Sequence, residues 1–215
     1  MRVCDKIKKI AKDIGDYMST HIEVIIGDIT ELDVDAVVNS ANKSLQKGSG
    51  ICKCVYEKAG EELAAALEGH DELEAGQAIL TSGFNLQAEY IIHIVTPKYL
   101  PPRPNNKYLL SQCYVSILDL AVLHNLKSLA IPCLGAGHHM WPIKLSAQIA
   151  IDTILWNLER LSSLEILYFV CLTDQQYEVY SRYWLVKNGV NGNAGSTAKE
   201  NVDNQYIGNS TKIFG

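Results

Sequence analysis

The feature that most limits the possible folds is a series of short apolar segments that alternate with segments of helical periodicity. Residues 21–26 and 33–38 are mainly apolar runs instead of alternating ones, which is typical of strands buried on both faces. Residues 89–95 (EYIIHIV) and 165–172 (EILYFVCL) also predict strands. Strands that alternate with helices predict an α/β fold of three layers, in which helices flank a mixed, mostly parallel central sheet.

The helix signals agree with this alternation. Pro142 falls in the first turn of a helix predicted from Trp141 to about Leu158, where proline is well tolerated. Thr173 or Asp174 is placed to cap the last helix, which ends near Leu185. The other predicted strands are 76–81 and 126–132, and the other predicted helices are 51–67, with Ala59, Leu63, Ala66 and Leu67 on one side, and 107–124.

The two ends of the chain differ from its middle. Residues 1–18 place apolar side chains at helical spacing opposite several lysines, which predicts an amphipathic helix docked on the domain, a membrane or partner helix being the alternative. Residues from 188 onward are rich in Asn, Gly, Ser and Thr, as in a flexible tail. We therefore expect a helical extension at 1–20, one domain at 21–187 and a polar tail at 188–215.

Composition excludes several classes of protein. The net charge of −5 argues against general binding of nucleic acid or of a membrane surface, which requires a basic field. No apolar run approaches the ~20 residues of a membrane span, and residues 1–19 do not resemble a signal peptide. The six cysteines form no Cys-x-x-Cys pair, which favours reduced thiols in a cytoplasmic protein. We also expect a monomer that needs no metal ion and no cofactor.

The loops that follow the predicted strands carry the residues best suited to a ligand site. Ligands of such sheets bind beyond the carboxyl ends of the strands, so we expect these loops to converge at one edge. Glycines at a helix start let backbone N–H groups and the helix dipole hold an anion. Two such stretches occur, Gly48-Ser49-Gly50 before Ile51 and Gly135-Ala136-Gly137 before His138 and His139, and together they suit a pyrophosphate.

Single polar residues in these loops admit two interpretations each. Asp28 could accept a hydrogen bond from an exocyclic amine such as that of adenine, or could be a turn acid. Asn39 and Asn42 could bind ribose hydroxyls or position a water, or could bond their own backbone. Cys52 lies in the first turn of a helix, where a thiol pKa can fall. A nucleophilic cysteine needs a histidine base, which His138 or His139 could supply only if the two loops meet, so we prefer a pocket-lining role for it.

The histidines of these segments give weaker evidence for a ligand site. His138 and His139 are adjacent, so their side chains point apart, and no third metal ligand is evident nearby. A contact to a sugar, or a plain loop role, suits them better. His93 lies within a predicted buried strand and is expected to be a core histidine with satisfied hydrogen bonds.

Taken together, these segments resemble the macrodomain family, an ADP-ribose-binding α/β fold. The resemblance covers residues 21–185 and rests on GDIT at 27–30, VDAVVNSAN at 34–42, YIIHIVTP at 90–97 and AIPCLGAGHHMWP at 130–142. It implies that Asp28 holds the adenine amine near the Ile29 backbone, that Asn39 supports the loop and that Asn42 faces the distal ribose. It places Leu172 and His139 where an aromatic ring often covers the adenine and the distal ribose, respectively. It also implies a diphosphate held by Gly48, Ser49, Gly50 and Ile51 on one side and by Gly135, Ala136, Gly137 and His138 on the other.

The departures from the family pattern leave two functions open. The catalytic Asp of hydrolytic members aligns with Cys52, the following Gly with Lys53, and a His with Tyr56. One expected function is hydrolysis of ADP-ribosylated proteins, with Asn42 positioning a water and the substrate phosphate assisting. The other is a reader module that binds free or protein-linked ADP-ribose without turnover, because a thiol is a poor general base beside a diphosphate. The expected partners are thus ADP-ribose or ADP-ribosylated proteins.

Overall fold

The computed structural model describes residues 20–100 and 105–188. The chain divides into two compact units, Met1–Tyr183 and Trp184–Gly215. Of the second unit, only residues 184–188 are described, and they include the end of the last helix. The amphipathic extension and the polar tail expected at the two ends lie outside the described residues, apart from Thr20 and Asn188, and stay predictions.

A six-stranded sheet forms the centre of the first unit. Its spatial order is β1-β6-β5-β2-β4-β3, in which β3 pairs antiparallel with β4 and every other pairing is parallel. The expected mixed, mostly parallel sheet is confirmed. The strands are β1 (His21–Ile26), β2 (Ala36–Ala41), β3 (Ala78–Ser82), β4 (Tyr90–Val95), β5 (Ser128–Pro132) and β6 (Ile166–Cys171).

Helices cover both faces of this sheet. Val37 and Val38 are consecutive on β2 and are both fully buried, and consecutive strand residues point to opposite faces, so each face has its own covering layer. In the described ranges, no helix is long and apolar enough to cross a membrane. The helices are α1 (Ile51–Ala59), α2 (Glu61–Leu67), α3 (Asn106–Leu123), α4 (Ile143–Asn157) and α5 (Asp174–Lys187).

The single helix predicted over residues 51–67 is wrong, because the chain breaks it at Gly60. That residue has φ 94° and ψ −178°, and its N–H bonds to the carbonyl of Tyr56. Side-chain-bearing residues rarely adopt this conformation, whereas glycine adopts it readily. The break also changes which alanines are covered, since Ala59 is buried but Ala66 is exposed.

Gly83 provides a test of the packing between β3 and β4. Its N–H bonds to the carbonyl oxygen of Glu89 at 2.7 Å, and a Cβ atom at Gly83 would lie 1.8 Å from the carbonyl oxygen of Ala88. Because that neighbour is backbone, we expect Gly83→Ala to lower the free energy of unfolding by about 3 kcal/mol. Gly27→Ala is the control, since a Cβ there meets no atom within 4 Å. Urea unfolding measures both, and equal losses would contradict the structure.

Candidate functional site

The parallel strands bring four of the predicted loops to one edge of the sheet. Asp28 follows β1, Leu172 follows β6, the loop beginning near Gly135 follows β5, and the loop containing Asn42 follows β2. Because β1, β6, β5 and β2 are neighbours in that order, these loops succeed one another along the edge. The sequence predicted that they would meet at one edge, and the pairing of the strands supplies their order.

The two glycine loops lie within the reach of one side-chain atom of each other. A Cβ atom at Gly50 would lie 3.5 Å from Nδ1 of His138 and 3.6 Å from its Cε1. Gly50 itself has φ 58°, a conformation that favours glycine. The loops after β2 and β5 therefore bound a common cleft at the edge of the sheet.

Within the first loop, the Asn42 side chain is bonded to its own backbone. Its Oδ1 accepts from the N–H of Gln46 at 3.1 Å and from Oγ of Ser44 at 3.0 Å, and its Nδ2 donates to the carbonyl of Gln46 at 2.8 Å. A Cβ atom at Gly48 would lie 3.4 Å from both Asn42 Nδ2 and Cys52 Sγ. The structure thus places Asn42 and Cys52 on either side of Gly48, with Asn42 forming the turn that was one of its two interpretations.

The thiol of Cys52 is a buried hydrogen-bond donor. Only 3% of the residue is exposed, and Sγ lies 3.7 Å from the carbonyl oxygen of Gln46. Burial raises the pKa of the Cys52 thiol, so the group is protonated at neutral pH and donates to that carbonyl. This is opposite to the low pKa that a helix start can give, and it favours the pocket-lining interpretation over a nucleophile.

Tyr56 also supports the first glycine loop. Its hydroxyl donates a hydrogen bond to the carbonyl of Leu45. Burial raises the pKa of Tyr56 to about 12, which keeps the phenol protonated and able to donate. Tyr56 stands where the resemblance expects a histidine, and here it has a structural role in fixing the carbonyl next to that bonded by Cys52.

Asn39 and His93 form a buried polar pair behind the loop. Asn39 Nδ2 lies 3.0 Å from His93 Nδ1, and His93 Nε2 lies 2.9 Å from Oγ1 of Thr81. Burial lowers the pKa of His93 to about 4, so the ring is neutral; it accepts at Nδ1 and donates at Nε2. The prediction of a satisfied core histidine is confirmed. Asn39 is fully buried, and its Oδ1 has no partner among the described atoms.

The second loop is anchored by Trp141, which sequence reasoning missed. Its Nε1 donates to the carbonyl of Pro97 at 2.8 Å, and its N–H donates to the carbonyl of Gly135 at 3.0 Å. Gly135 has φ 83°, and a Cβ atom there would lie 2.6 Å from Trp141 Cδ1. The indole therefore requires glycine at this position. A glycine-bearing loop that ends in Trp-Pro at a helix start was the signal available in the sequence.

Other residues of this loop are held by backbone bonds. The N–H of Ala136 donates to the carbonyl of Cys133 at 3.2 Å, and that of Met140 donates to the carbonyl of Gly137 at 3.0 Å. The carbonyl of His139 accepts from the N–H of Tyr99 at 2.8 Å. Burial lowers the pKa of His139, so its imidazole is neutral at neutral pH.

Asp28 follows β1 and lies at the outer end of this row of loops. Its Oδ1 accepts from the N–H of Thr30 at 2.9 Å and from Oγ1 of Thr30 at 2.6 Å, and these bonds lower the pKa of the carboxyl group. Asp28 thus caps the turn Ile29–Glu31 while its side chain stays exposed. It combines the turn role with an ionised acceptor that faces solvent.

Two exposed apolar residues flank Asp28. Leu172 follows β6 and is 69% exposed, and Ile26 at the end of neighbouring β1 is 50% exposed. The backbone of Leu172 is fixed by a bond from its N–H to Gln176 Oε1, and Gln176 in turn donates its N–H to Oγ1 of Thr173. Thr173 is therefore the cap of α5. Ile26 was not predicted as a site residue, because its exposure depends on the position of β1 at the sheet edge.

Metal ligation has no support in this region. Among residues 20–100 and 105–188, no group of three or more His, Cys, Asp or Glu side chains could hold a metal ion.

The low pKa of His93 makes stability depend on pH. The folded state keeps the ring neutral down to about pH 4, whereas an unfolded histidine binds a proton near pH 6.5. The unfolded state therefore holds more protons between these values, and stability falls as pH falls through this window, by roughly 3 kcal/mol in total. His93→Gln should flatten the profile of unfolding free energy between pH 7 and pH 4.5, whereas the exposed His124→Gln should not. Parallel profiles for both variants would contradict the assignment.

Comparisons with known proteins agree with this geometry. A family model described as Macro domain matches residues 38–150. The chain is 36% identical over 169 residues to the O-acetyl-ADP-ribose deacetylase of Citrobacter rodentium, covering 77% of this chain and 96% of the relative. It is 35% identical over 158 residues to the ADP-ribose glycohydrolase MACROD2 of Xenopus laevis, covering 73% of this chain and 38% of that relative.

Solved structures show the same fold. The Oceanobacillus iheyensis macrodomain with ADP superposes with a TM-score of 0.75 at 30% identity, covering 80% of this chain and 95% of that chain. The Trypanosoma brucei macrodomain in complex with ADP-ribose gives a TM-score of 0.71 at 29% identity, covering 76% and 69%. Together with the sheet order and the two glycine loops, these similarities show that the chain belongs to the macrodomain family.

Proposed function

We propose that this macrodomain binds ADP-ribose in the cleft along the carboxyl ends of β1, β6, β5 and β2. The observation that carries the proposal is the close approach of the glycine loops, where a Cβ atom at Gly50 would lie 3.5 Å from His138 Nδ1. A pyrophosphate held between these loops has Asp28 on the side of β1 and Asn42 on the side of β2. The two ends of the cleft thus suit the adenine and the distal ribose, respectively.

Backbone N–H groups supply the attraction for the diphosphate. Helix α1 begins at Ile51, and its N-cap residue Gly50 makes no side-chain capping bond. The first N–H groups of α1 are therefore available to an anion, and the helix dipole adds a partial positive charge. This local field matters because the chain carries a net charge of −5 and offers no general attraction for anions.

The adenine end combines one acceptor with apolar contacts. The exposed carboxylate of Asp28 can accept from the exocyclic amine of adenine. Ile26 and Leu172, on neighbouring strands, offer aliphatic surface to the faces of the base. Aliphatic contact buries the ring but lacks the stacking geometry of an aromatic pair. Binding at this end should therefore depend strongly on Asp28.

We infer that the cleft acts as a reader of free or protein-linked ADP-ribose. A general base at position 52 would have to accept a proton, but the Cys52 thiol is already protonated and donates to the carbonyl of Gln46. The amide of Asn42 is likewise engaged by its own loop. Cys52 and Asn42, the two side chains that the hydrolase scheme would use, are thus both bonded to the loop.

Hydrolysis is the second candidate, and two observations favour it. Relatives of this chain carry the names O-acetyl-ADP-ribose deacetylase and ADP-ribose glycohydrolase. Asn42 is also exposed at the cleft, next to Gly48. In this alternative, Asn42 exchanges its loop bond for a water that attacks the anomeric carbon of the distal ribose. The bond from that carbon to the protein side chain breaks, the side-chain oxygen leaves with the electron pair, and a phosphate oxygen of the substrate accepts the proton of the water.

Calorimetry with ADP-ribose tests the binding proposal. We expect Asp28→Ala to weaken binding about 10-fold or more, because a hydrogen bond to a charged acceptor contributes roughly 1.5–3 kcal/mol. Glu89→Ala, which removes an exposed acid directly before β4 at the opposite end of the parallel strands, should leave the affinity unchanged. An ADP-ribose analogue with hypoxanthine in place of adenine lacks the amine. It should bind the native protein weakly, and Asp28→Ala should reduce its affinity less than that of ADP-ribose.

No detectable binding of ADP-ribose by the native protein at micromolar concentration would overturn the proposal. Equal losses for Asp28→Ala and Glu89→Ala would overturn the assignment of the adenine end while leaving binding itself intact.

Turnover distinguishes the reader from the hydrolase. We expect the native protein to release no label from a mono-ADP-ribosylated protein and no acetate from O-acetyl-ADP-ribose. Cys52→Asp supplies the missing carboxylate, and burial raises its pKa towards the range of a general base, so this variant should show slow turnover. Cys54→Asp, on the exposed side of α1, is the matched control and should show none.

Turnover by the native protein that is lost in Asn42→Ala would instead support the hydrolase. Turnover that persists in Asn42→Ala would contradict the role of Asn42 in the hydrolase scheme, and turnover by the native protein in either case would contradict the reader.

A further inference from the structure

Two cysteine thiols lie next to each other at the carboxyl ends of β5 and β6. Cys133 directly follows β5 and Cys171 ends β6, and these strands are paired so that Pro132 stands opposite Val170. The two Sγ atoms are 3.4 Å apart. Both cysteines are free, with Cys133 half-buried and Cys171 buried. Neither was singled out as a site residue from the sequence, because they are 38 residues apart.

The backbone around this pair suits a disulfide bond. Neighbouring strands lie about 4.8 Å apart, which falls inside the Cα separation of about 4.4–6.8 Å that disulfides span. Sγ of Cys133 also lies 3.8 Å from the carbonyl oxygen of Val170, so this side chain is already directed towards β6. Closing the bond requires the sulfurs to approach by roughly 1.3 Å, without any change in strand pairing.

The same two residues hold the starts of two loops of the cleft. The carbonyl of Cys133 accepts from the N–H of Ala136 at 3.2 Å, inside the second glycine loop. The carbonyl of Cys171 accepts from the N–H of Gly27 at 3.1 Å, directly before Asp28. A bond between the two sulfurs therefore acts on the diphosphate loop and on the adenine end together.

We propose that Cys133 and Cys171 are a modification site, a dithiol that a peroxide oxidises to a reversible disulfide, and that this disulfide weakens the binding of ADP-ribose. The effect on affinity rests on the proposed function. The formation of the disulfide does not, since it follows from the positions of the two sulfurs alone.

The chemistry balances with hydrogen peroxide as the oxidant. The hydrogen bond to Cys171 and burial raise the pKa of the Cys133 thiol, so the first step is the slower one. Sγ of Cys133, the more exposed of the two, attacks a peroxide oxygen; the S–O bond forms, the O–O bond breaks, and the thiol proton leaves with the departing hydroxide as water. Sγ of Cys171 then attacks Sγ of Cys133; the S–S bond forms, the S–O bond breaks, and the proton of Cys171 leaves with hydroxide as a second water. The hydrogen bond from Cys133 lowers the pKa of Cys171, which assists this second step.

The remaining described thiols are placed differently. Cys113 donates to the carbonyls of Leu109 and Val95, and Cys52 donates to that of Gln46. Cys54 is exposed on α1. Peptide mapping can therefore assign a disulfide to the proposed pair or to another one.

The test treats the full reduced chain with hydrogen peroxide, alkylates free thiols and maps the peptides. We expect an intact mass lower by two hydrogens, a linked peptide that joins Cys133 to Cys171, and reversal by a thiol reductant. Calorimetry should show that the oxidised protein binds ADP-ribose at least about threefold more weakly than the reduced protein, since one cleft hydrogen bond is worth roughly 1 kcal/mol. Cys133→Ser and Cys171→Ser should each abolish the linked peptide and the affinity change, whereas Cys54→Ser should retain both.

A linked peptide that joins other cysteines, oxidation of this pair to sulfinic acid without a disulfide, or equal affinities of the oxidised and reduced proteins would each overturn the proposal. If the reduced protein does not bind ADP-ribose, the affinity effect fails together with the proposed function. The peptide map then still decides whether the disulfide forms.

Discussion

The parallel pairing of β2 with β4 and β5 is the constraint on which the site depends. Ala36 stands opposite Tyr90 on one side and opposite Leu129 on the other. This central position fixes where β2 ends, and therefore where the loop containing Asn42 begins relative to the loop after β5. Val37 and Val38 are both fully buried on the two faces, and a slip of one residue would exchange them. The register of a strand buried on both faces is thus tied to packing, and the glycine loops can meet only in this register.

Three side chains hold the first glycine loop in place after β2. Tyr56 bonds the carbonyl of Leu45, while Asn42 and Cys52 both donate to the carbonyl of Gln46. All three are donors to main-chain oxygens, so they leave the N–H groups at the start of α1 to face an anion. An ionised carboxylate at position 52 could not donate and would lie beside a carbonyl oxygen. The thiol at position 52 therefore serves as an uncharged support for the loop.

The sequence predicted the fold class, the positions of the strands and the loops that form the cleft, because buried strands and glycine-bearing helix starts have local signatures. It did not predict the break at Gly60, where a conformation open to glycine interrupts a periodic segment. The anchoring role of Trp141, the exposure of Ile26 and the approach of Cys133 to Cys171 were also missed. Each of these depends on which strands become neighbours, and pairing between distant segments leaves no mark in a single sequence. The turn formed by Asn42 was one of its two interpretations in the sequence, whereas the bond from Cys52 to Gln46 depends on how the loop folds back against the start of α1.

The choice between reader and hydrolase depends more on Cys52 than on Asn42. The bond from Asn42 to Gln46 is exposed, and breaking a bond of this kind costs about 1 kcal/mol, which a bound diphosphate can readily offset. A substrate could therefore recruit the Asn42 amide without disturbing the fold. Cys52 has no comparable freedom, because it is buried and its raised pKa keeps the proton on sulfur. Any hydrolysis by this chain must then use a base other than the side chain at position 52, either a phosphate oxygen of the substrate or the neutral imidazole of His139 in the second loop.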